Sequence, residues 1–298
     1  MRTVVAGIDG SPESRAAADW AAREAGLLGA PLRLVHVWQP LEQAPLPGMD
    51  TLQDQAGQML RDVGGDVRRR HPHIEVSVAH LPGRPAAVLC QTANEAELLV
   101  LGSRALGGVG GFLVGSVGLS VAAHAERPVV LVRADRHLVD GDHEESSGYR
   151  PSVRDAHCRP VVLGLDTAAP DDGLIEFAFR AAERRTTSLR VVHGWYPPPY
   201  FGPTPAADAE LHASAARSAT AVLTEVLHPW RHKHPNTEVV EDSRFGNAAQ
   251  LLVGASRGAS LVVVGRRLRR GPLGTHIGPV AHGVLHHATA PVAVVAHP

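Results

Sequence analysis

The sequence repeats itself, and the repeat limits the possible folds more than any other feature. Val4-Val5-Ala6-Gly7-Ile8-Asp9 aligns with Val161-Val162-Leu163-Gly164-Leu165-Asp166 at an offset of 157, and Val35-His36-Val37-Trp38 aligns with Val192-His193-Gly194-Trp195 at the same offset. Farther on the offset is 163, pairing His71-Pro72 with His234-Pro235, Gly102 with Gly265, Gly115 with Gly278 and Pro128-Val129 with Pro291-Val292. Six residues are therefore added in the second copy between about Pro197 and His234, where Pro197-Pro198-Pro199 and Phe201-Gly202-Pro203 read as a loop. Two copies imply two domains, which suits 298 residues at about 150 per domain. The polar run Asp140-Gly141-Asp142-His143-Glu144-Glu145-Ser146-Ser147-Gly148 reads as a linker, so the boundary is expected near 135 to 159 and the domains at 1–138 and 159–298.

Inside each copy, short β-branched runs alternate with Ala-rich stretches of helical period. In the first copy strands are predicted near 3–8, 32–38, 74–79, 98–102 and 129–133, and helices near 12–29, 51–70, 84–95 and 115–125. Ser11, Pro12 and Glu13 supply an N-cap, a first-turn proline and a well-placed acid for the first helix. Strict alternation predicts an α/β fold: two repeated doubly wound domains, each a five-stranded parallel sheet with helices on both faces. Ligands of such sheets bind beyond the carboxyl ends of the strands, which directs attention to Asp9-Gly10-Ser11 and to the run starting at Gly102. The fifth strands, Pro128 to Val132 and Pro291 to Val295, are apolar, begin with proline and are expected at a sheet edge.

Composition removes several function classes. Lys and Arg total 29 against 30 acidic residues, so no global field attracts nucleic acid or anionic lipid. No apolar run approaches the roughly 18 to 20 residues of a membrane span. Met1-Arg2-Thr3 passes straight into the first strand without the pattern of an export signal, so a cytoplasmic protein is expected. Cys90 and Cys158, the only cysteines, cannot build a disulfide framework, and Cys90 in its apolar surroundings is expected to be a small buried hydrophobe. Of the 29 cations only Lys233 is lysine, and no P-loop string surrounds it. His232-Lys233-His234-Pro235 reads as a solvated connector, a poor setting for a Schiff-base lysine.

After the apolar run Leu98 to Leu101 comes Gly102-Ser103-Arg104-Ala105-Leu106-Gly107-Gly108-Val109-Gly110-Gly111-Phe112-Leu113-Val114-Gly115-Ser116-Val117. Such a loop can turn its backbone N–H groups toward one point, and the helix opening near Ser116 adds the positive end of its dipole, an environment suited to phosphate. The same glycines also suit a flexible loop that packs closely on its neighbours.

This spacing resembles that of the universal stress protein family, whose ATP-binding members carry Gly-x2-Gly-x9-Gly-Ser/Thr after strand four. Gly102, position 105, Gly115 and Ser116 fit it, Asp9 stands at the strand-one aspartate, and the Gly-Ser-Val helix opening and the Pro-Val-Val fifth strand of the first half add to the likeness, which covers both halves outside the linker. The resemblance implies an adenine nucleotide, ATP with Mg2+, as ligand. Gly7 and Asp9 would border the ribose and phosphates, and the backbone near Val37 would meet the adenine. Gly102, Ser103, Arg104, Ala105, Leu106, Gly107 and Gly108, with Gly115, Ser116 and Val117, would wrap the phosphates. Ala105 replaces the second motif glycine, at a cost of about 1 kcal/mol if that residue needs a positive φ, which lowers the expected affinity. The resemblance also implies association of such domains through their fifth strands, making the tandem chain a pseudo-twofold pair and leaving a homodimer open.

The second copy keeps Gly265 and Gly278 but has Leu268 at the second glycine and Pro279 where Ser or Thr is expected. Proline opens a helix but offers neither a hydroxyl nor an N–H to phosphate. Arg266, Arg267, Arg269 and Arg270 are either anion ligands or a solvated basic loop, and the expectation is a competent first site beside an altered second one. The pairs His71/His73, His232/His234 and His286/His287 lack His-x3-His spacing with an accompanying acid and are read as surface histidines, with no metal site; His36 and His193 are assigned to packing. Val114 breaks a Gly-x-Ser-x-Gly elbow around Ser116, which reads instead as a helix cap and phosphate ligand. A Rossmann fingerprint is absent after the first strand, where Gly7-Ile8-Asp9-Gly10 stands.

Two functions follow from different classes. One is a nucleotide-dependent stress or dormancy regulator that changes partners or conformation with occupancy; with no base beyond Asp9 near the loop, it is expected to hydrolyse ATP slowly or not at all. The other is a nucleotide-free protein-interaction module. A true enzyme acting on an adenylated substrate would need a second pocket that the sequence does not reveal. Protein partners and the stress signal are not encoded in any motif.

Overall fold

The structure, a computed structural model, describes residues 3–39, 49–103, 115–134, 159–196, 205–268 and 277–298. They fall into two compact units, one built mainly from each copy of the repeat. The first contains β1 (Val4–Gly7), α1 (Pro12–Leu28), β2 (Leu32–Trp38), α2 (Met49–Arg70), β3 (Val76–Pro82), α3 (Pro85–Asn94), β4 (Leu98–Ser103), α4 (Ser116–His124) and β5 (Val129–Arg133). The second contains β6 (Val161–Gly164), α5 (Asp172–Arg185), β7 (Leu189–Trp195), α6 (Pro205–Lys233), β8 (Val239–Phe245), α7 (Ala248–Ser256), β9 (Leu261–Arg267), α8 (Pro279–His287) and β10 (Val292–His297).

Every strand pairing within a unit is parallel. The first unit runs β3-β2-β1-β4-β5 and the second β8-β7-β6-β9-β10. The order reverses between β1 and β4, and between β6 and β9, which opens a crevice at the carboxyl ends of those strands. Both faces of the central strands are covered, so their side chains are continuously apolar; Val4, Val5 and Ala6 are buried throughout, as are Val161, Val162 and Leu163.

Helix α1 follows the expected cap chemistry. Ser11 accepts from the Ser14 N–H, Pro12 opens the first turn, and Gly29 closes the helix in the left-handed region at φ 60°. Its inner face is Ala17, Ala18, Ala21, Ala22 and Ala25, small side chains that let the helix lie close to the sheet. Helix α5 uses the same frame with bulkier residues, including Leu174, Ile175 and Phe179, and is capped by Asp171.

Several details depart from the sequence expectations. Strand β3 ends at Pro82 rather than 79 because β2 supplies partners up to Trp38↔Pro82. Helix α4 starts one residue later than predicted: Gly115 is its N-cap and Ser116 its first helical residue, so Ser116 does not cap it. Cys90 is half-buried, because Leu89 beside it takes the inward position on α3.

Lys233 ends a 29-residue helix and is not part of a connector. It donates to Glu176 at 2.5 Å and lies 4.7 Å from the Trp230 ring. His234 is not a surface residue; it is 6% exposed, stacked on Phe179, with Nδ1 2.8 Å from Glu183 and Nε2 3.4 Å from Glu176. Burial pushes the Glu176 carboxyl up, but hydrogen bonds from Lys233, Arg180 and His234 outweigh it and bring the group down to about 2. The six added residues of the second copy belong to a region in which α6 is longer than its 22-residue counterpart α2. The proposed linker and residues 197–204 lie outside the described residues. Among the described residues, no helix is long and apolar enough to cross a membrane.

Candidate functional site

The turn after β1 is organised by Asp9. Its Oδ1 accepts from the Ser11 N–H at 3.0 Å and from the Ser11 hydroxyl at 2.5 Å. Ser11 Oγ in turn accepts from the Ser14 N–H at 3.1 Å, so one short polar chain fixes the strand end, the turn and the start of α1. Gly10, between them, sits at φ 84°, which side-chain-bearing residues rarely adopt.

Beyond the carboxyl ends of β1 and β4 lies a cavity of about 270 Å³. Of the residues singled out in the sequence, Gly7, Asp9, Val37 and Gly102 line it from the sheet side, and Gly115, Ser116 and Val117 from the amino end of α4. Arg104, Ala105, Leu106, Gly107 and Gly108 lie outside the described residues. Ser103 is described but does not line the cavity; it is 2% exposed, and its hydroxyl makes no hydrogen bond among the described residues.

The cavity has two characters. Val35, Val37, Leu89 and Leu101 give it an apolar wall that suits a flat ring. Opposite in chemistry are Asp9 and the α4 terminus, where Gly115 has no side chain to occupy the first N–H groups. Among the described residues, nothing lies within 4 Å of where a methyl group at Gly115 would stand. Gly102 differs. Its missing Cβ would stand 2.6 Å from the Glu13 carbonyl carbon and 2.7 Å from Ser14 N, so α1 packs directly on the strand there. Close packing is thus the role of Gly102, while Gly115 borders the cavity. Leu89, Pro85 and Ser14 were not anticipated as lining residues; the i, i+4 spacing of Pro85 and Leu89 on one helix face was the available signal.

The second copy keeps the frame and changes the filling. Asp166 shapes its turn as Asp9 does, accepting from the Ala168 N–H at 3.1 Å, but its other oxygen faces the Arg267 guanidinium at 3.4 Å. Arg266, 1% exposed, stands where the first copy has Ser103. Gly194 replaces Val37, and the backbone of Ala248 at the start of α7 presses within 2.8 Å of where its Cβ would be. Pro279 opens α8 behind the Gly278 cap, as its sequence position predicted.

On β2, Val35 and Val37 face the cavity, so His36 points to the other face of the sheet. Its ring lies 4.9 Å from that of His80, and its Nδ1 is buried with no hydrogen-bond partner among the described residues. Burial and the neighbouring His80 push the His36 pKa down, while the Asp9 carboxylate pulls it the other way. In the second copy His193 is better satisfied, with Nδ1 3.1 Å from the Leu165 carbonyl and Nε2 3.3 Å from the Thr167 hydroxyl. Arg133, beside Ser103 on β5, is depressed to about 10 by burial.

A family model described as the Universal stress protein family matches residues 1–133 and 157–296. The chain is 30% identical over 313 residues to the universal stress protein Rv2005c of Mycobacterium tuberculosis, covering 98% of this chain and 96% of that one. It is 31% identical over 302 residues to the universal stress protein Rv2623 of the same organism, covering 98% and 95%. Among solved structures, a universal stress protein from Archaeoglobus fulgidus superposes with a TM-score of 0.70 at 16% identity, covering 99% of this chain and 98% of that one.

Proposed function

The chain belongs to the universal stress protein family, and from that premise we propose that its first half binds an adenine nucleotide, ATP with Mg2+, as a nucleotide-dependent stress regulator. The observation that carries this reading is the cavity at the β1/β4 crossing, apolar on one side and ending at a helix amino terminus with no side-chain cap on the other. The base and ribose would lie against Val37, Leu89 and Leu101, with Asp9 and Gly7 at the ribose edge. The phosphates would take the N–H groups of the first turn of α4, at Gly115, Ser116 and Val117. Ser103, behind the cavity wall, and Arg104 to Gly108, outside the described residues, complete the set that family resemblance assigns to the phosphates.

Nucleotide binding is proposed for 1–138 and not for 159–298. Asp166 is engaged by Arg267, Arg266 fills the Ser103 position, and Pro279 has no N–H to give. Among the described residues that line the cavity, Asp9 supplies a metal-compatible carboxylate and no second acid stands by to position water, which supports holding ATP over hydrolysing it. Calorimetric titration with ATP and Mg2+ tests the proposal, with one nucleotide per chain as the expected result. No heat at millimolar ATP would leave a nucleotide-free interaction module, and rapid phosphate release dependent on Asp9 would make the protein an enzyme.

A further inference from the structure

Helix α6 carries His228 and His232 one turn apart, a spacing that puts both rings on the same helix face. Their Nε2 atoms lie 3.3 Å from each other, with ring centroids 4.6 Å apart. Both side chains are exposed, unlike buried His234 two residues on. The cations that flank His232 in sequence are held elsewhere: Arg231 donates to Glu241 at 2.7 Å, and Lys233 to Glu176 at 2.5 Å.

We propose that His228 and His232 form a bidentate imidazole site for a borderline divalent transition-metal ion of the copper, nickel and zinc class. Two nitrogens about 2.0–2.1 Å from one ion lie roughly 2.9 Å apart at a right angle and roughly 3.3 Å apart at the tetrahedral angle, so the rings already stand at chelating distance. Without metal the same spacing serves an N–H···N contact, one neutral ring donating and the other accepting. For an ion to bind, the donor ring moves its Nε2 proton to Nδ1 through solvent, so that both Nε2 lone pairs face the metal; the preset spacing is what makes a chelating pair tighter than two separate imidazoles. Among the described residues no group of three His, Cys, Asp or Glu side chains converges, so water completes the coordination sphere. Imidazole donors and an open sphere select Cu2+, Ni2+ or Zn2+ over Ca2+ and Mg2+, which take oxygen ligands.

The placement gives the ion a structural consequence. Pro229 lies inside the bridged turn and cannot donate its backbone hydrogen bond. An ion spanning His228 and His232 would brace that turn immediately before His234, whose contacts with Glu183 and Phe179 join α6 to α5. Metal binding should therefore raise the thermal stability of the second unit.

The test is titration of chelator-treated full-length protein with Ni2+, followed by calorimetry and by the thermal midpoint, in wild type and in His228→Gln, His232→Gln and His282→Gln. The last variant breaks the other described helical pair, His282 and His286, whose centroids are 4.4 Å apart but whose His286 is half-buried. The expected result is one tight equivalent in wild type, weakened roughly a hundredfold in each of the first two variants and unchanged in the third. The midpoint rise should disappear with the tight equivalent. Unchanged affinity in His228→Gln and His232→Gln, loss confined to His282→Gln, or no wild-type binding below millimolar Ni2+ would each overturn the assignment.

Discussion

Asp9 and Asp166 end equivalent strands and shape equivalent turns, yet one borders an open cavity and the other faces an arginine. The same holds along the rest of the crevice. Ser116 opens α4 where Pro279 opens α8, Val37 lines a wall where Gly194 admits the backbone of α7, and Ser103 gives way to a buried Arg266. None of these exchanges disturbs the sheet, because each sits at the carboxyl end of a strand or the first turn of a helix, while the packing that defines the fold lies farther back along the strands. The repeat preserves the frame in which a site forms and leaves its contents free to diverge.

The largest expected effect tests whether matching glycines do matching work. Gly102→Ala drives a methyl group to 2.6 Å from backbone atoms of α1, which cannot swing aside, and should cost about 3 kcal/mol, near the upper end of overpacking. At Gly265 the nearest atoms are side chains, His297 Nε2 at 2.7 Å and Leu174 Cδ2 at 3.0 Å, which can shift where backbone cannot, so Gly265→Ala should cost less, about 2 kcal/mol. Urea unfolding of the two variants measures the contrast, and equal losses would remove it. Gly115→Ala, whose new methyl meets no atom of the described residues within 4 Å, should show only the loss of a good N-cap residue, about 0.5 kcal/mol.

Next is a transplant of the second copy into the first. Ser116→Pro keeps a residue that suits the first helical position but removes a backbone N–H and a hydroxyl from the cavity. Loss of one hydrogen bond to a charged group is worth about 1.5 kcal/mol or more, so ATP affinity should fall at least about tenfold with the thermal midpoint of the free protein held. The reverse change, Pro279→Ser, should not create binding while Arg267 still faces Asp166. Calorimetry on both variants decides whether the helix opening separates the two halves or only accompanies the separation.

A third contrast lies at the ends of α1 and α5. Gly29 and Thr186 both cap in the left-handed region, at φ 60° and 51°. A β-branched residue is strained there. Thr186→Gly should stabilise the chain by about 1 kcal/mol and Gly29→Thr should destabilise it by a similar amount, both read from denaturant midpoints.

The doubled α/β architecture was legible because buried parallel strands write themselves as apolar runs at a fixed offset, from Val4 to Ala6 and again from Val161 to Leu163. The glycine-rich motif likewise led to Gly102, Gly115 and Ser116 at one cavity. The end of β3 was not legible, since residues 80–82 extend only because β2 offers them partners. Nor was the environment of Lys233 and His234, whose polar sequence resembles a connector. The burial of His234 and the pairing of both residues depend on Glu176, Phe179 and Glu183, more than fifty residues earlier in the chain. His228 and His232 do carry a readable i, i+4 spacing, but the convergence of their nitrogens at 3.3 Å depends on side-chain rotamers.

The smallest expected effect concerns the histidines beneath the two crevices. His36 has a pKa held below its ordinary value of 6.5 by burial and by His80, so the folded state resists its protonation. Its contribution to stability is complete above about 6.5 and is lost as the pH falls through the lower folded value, because there the unfolded chain binds the proton first. His36→Gln should therefore flatten the stability profile on the acid side of 6.5, as measured by thermal midpoints across that range. Asp9→Asn should steepen it, since the Asp9 carboxylate is the one neighbour that favours the charged ring. The size is small because the ring is only half-buried and the two neighbours act in opposite directions. A profile indifferent to His36 but responsive to Asp9→Asn would assign the titration to the turn and not to the strand beneath the cavity.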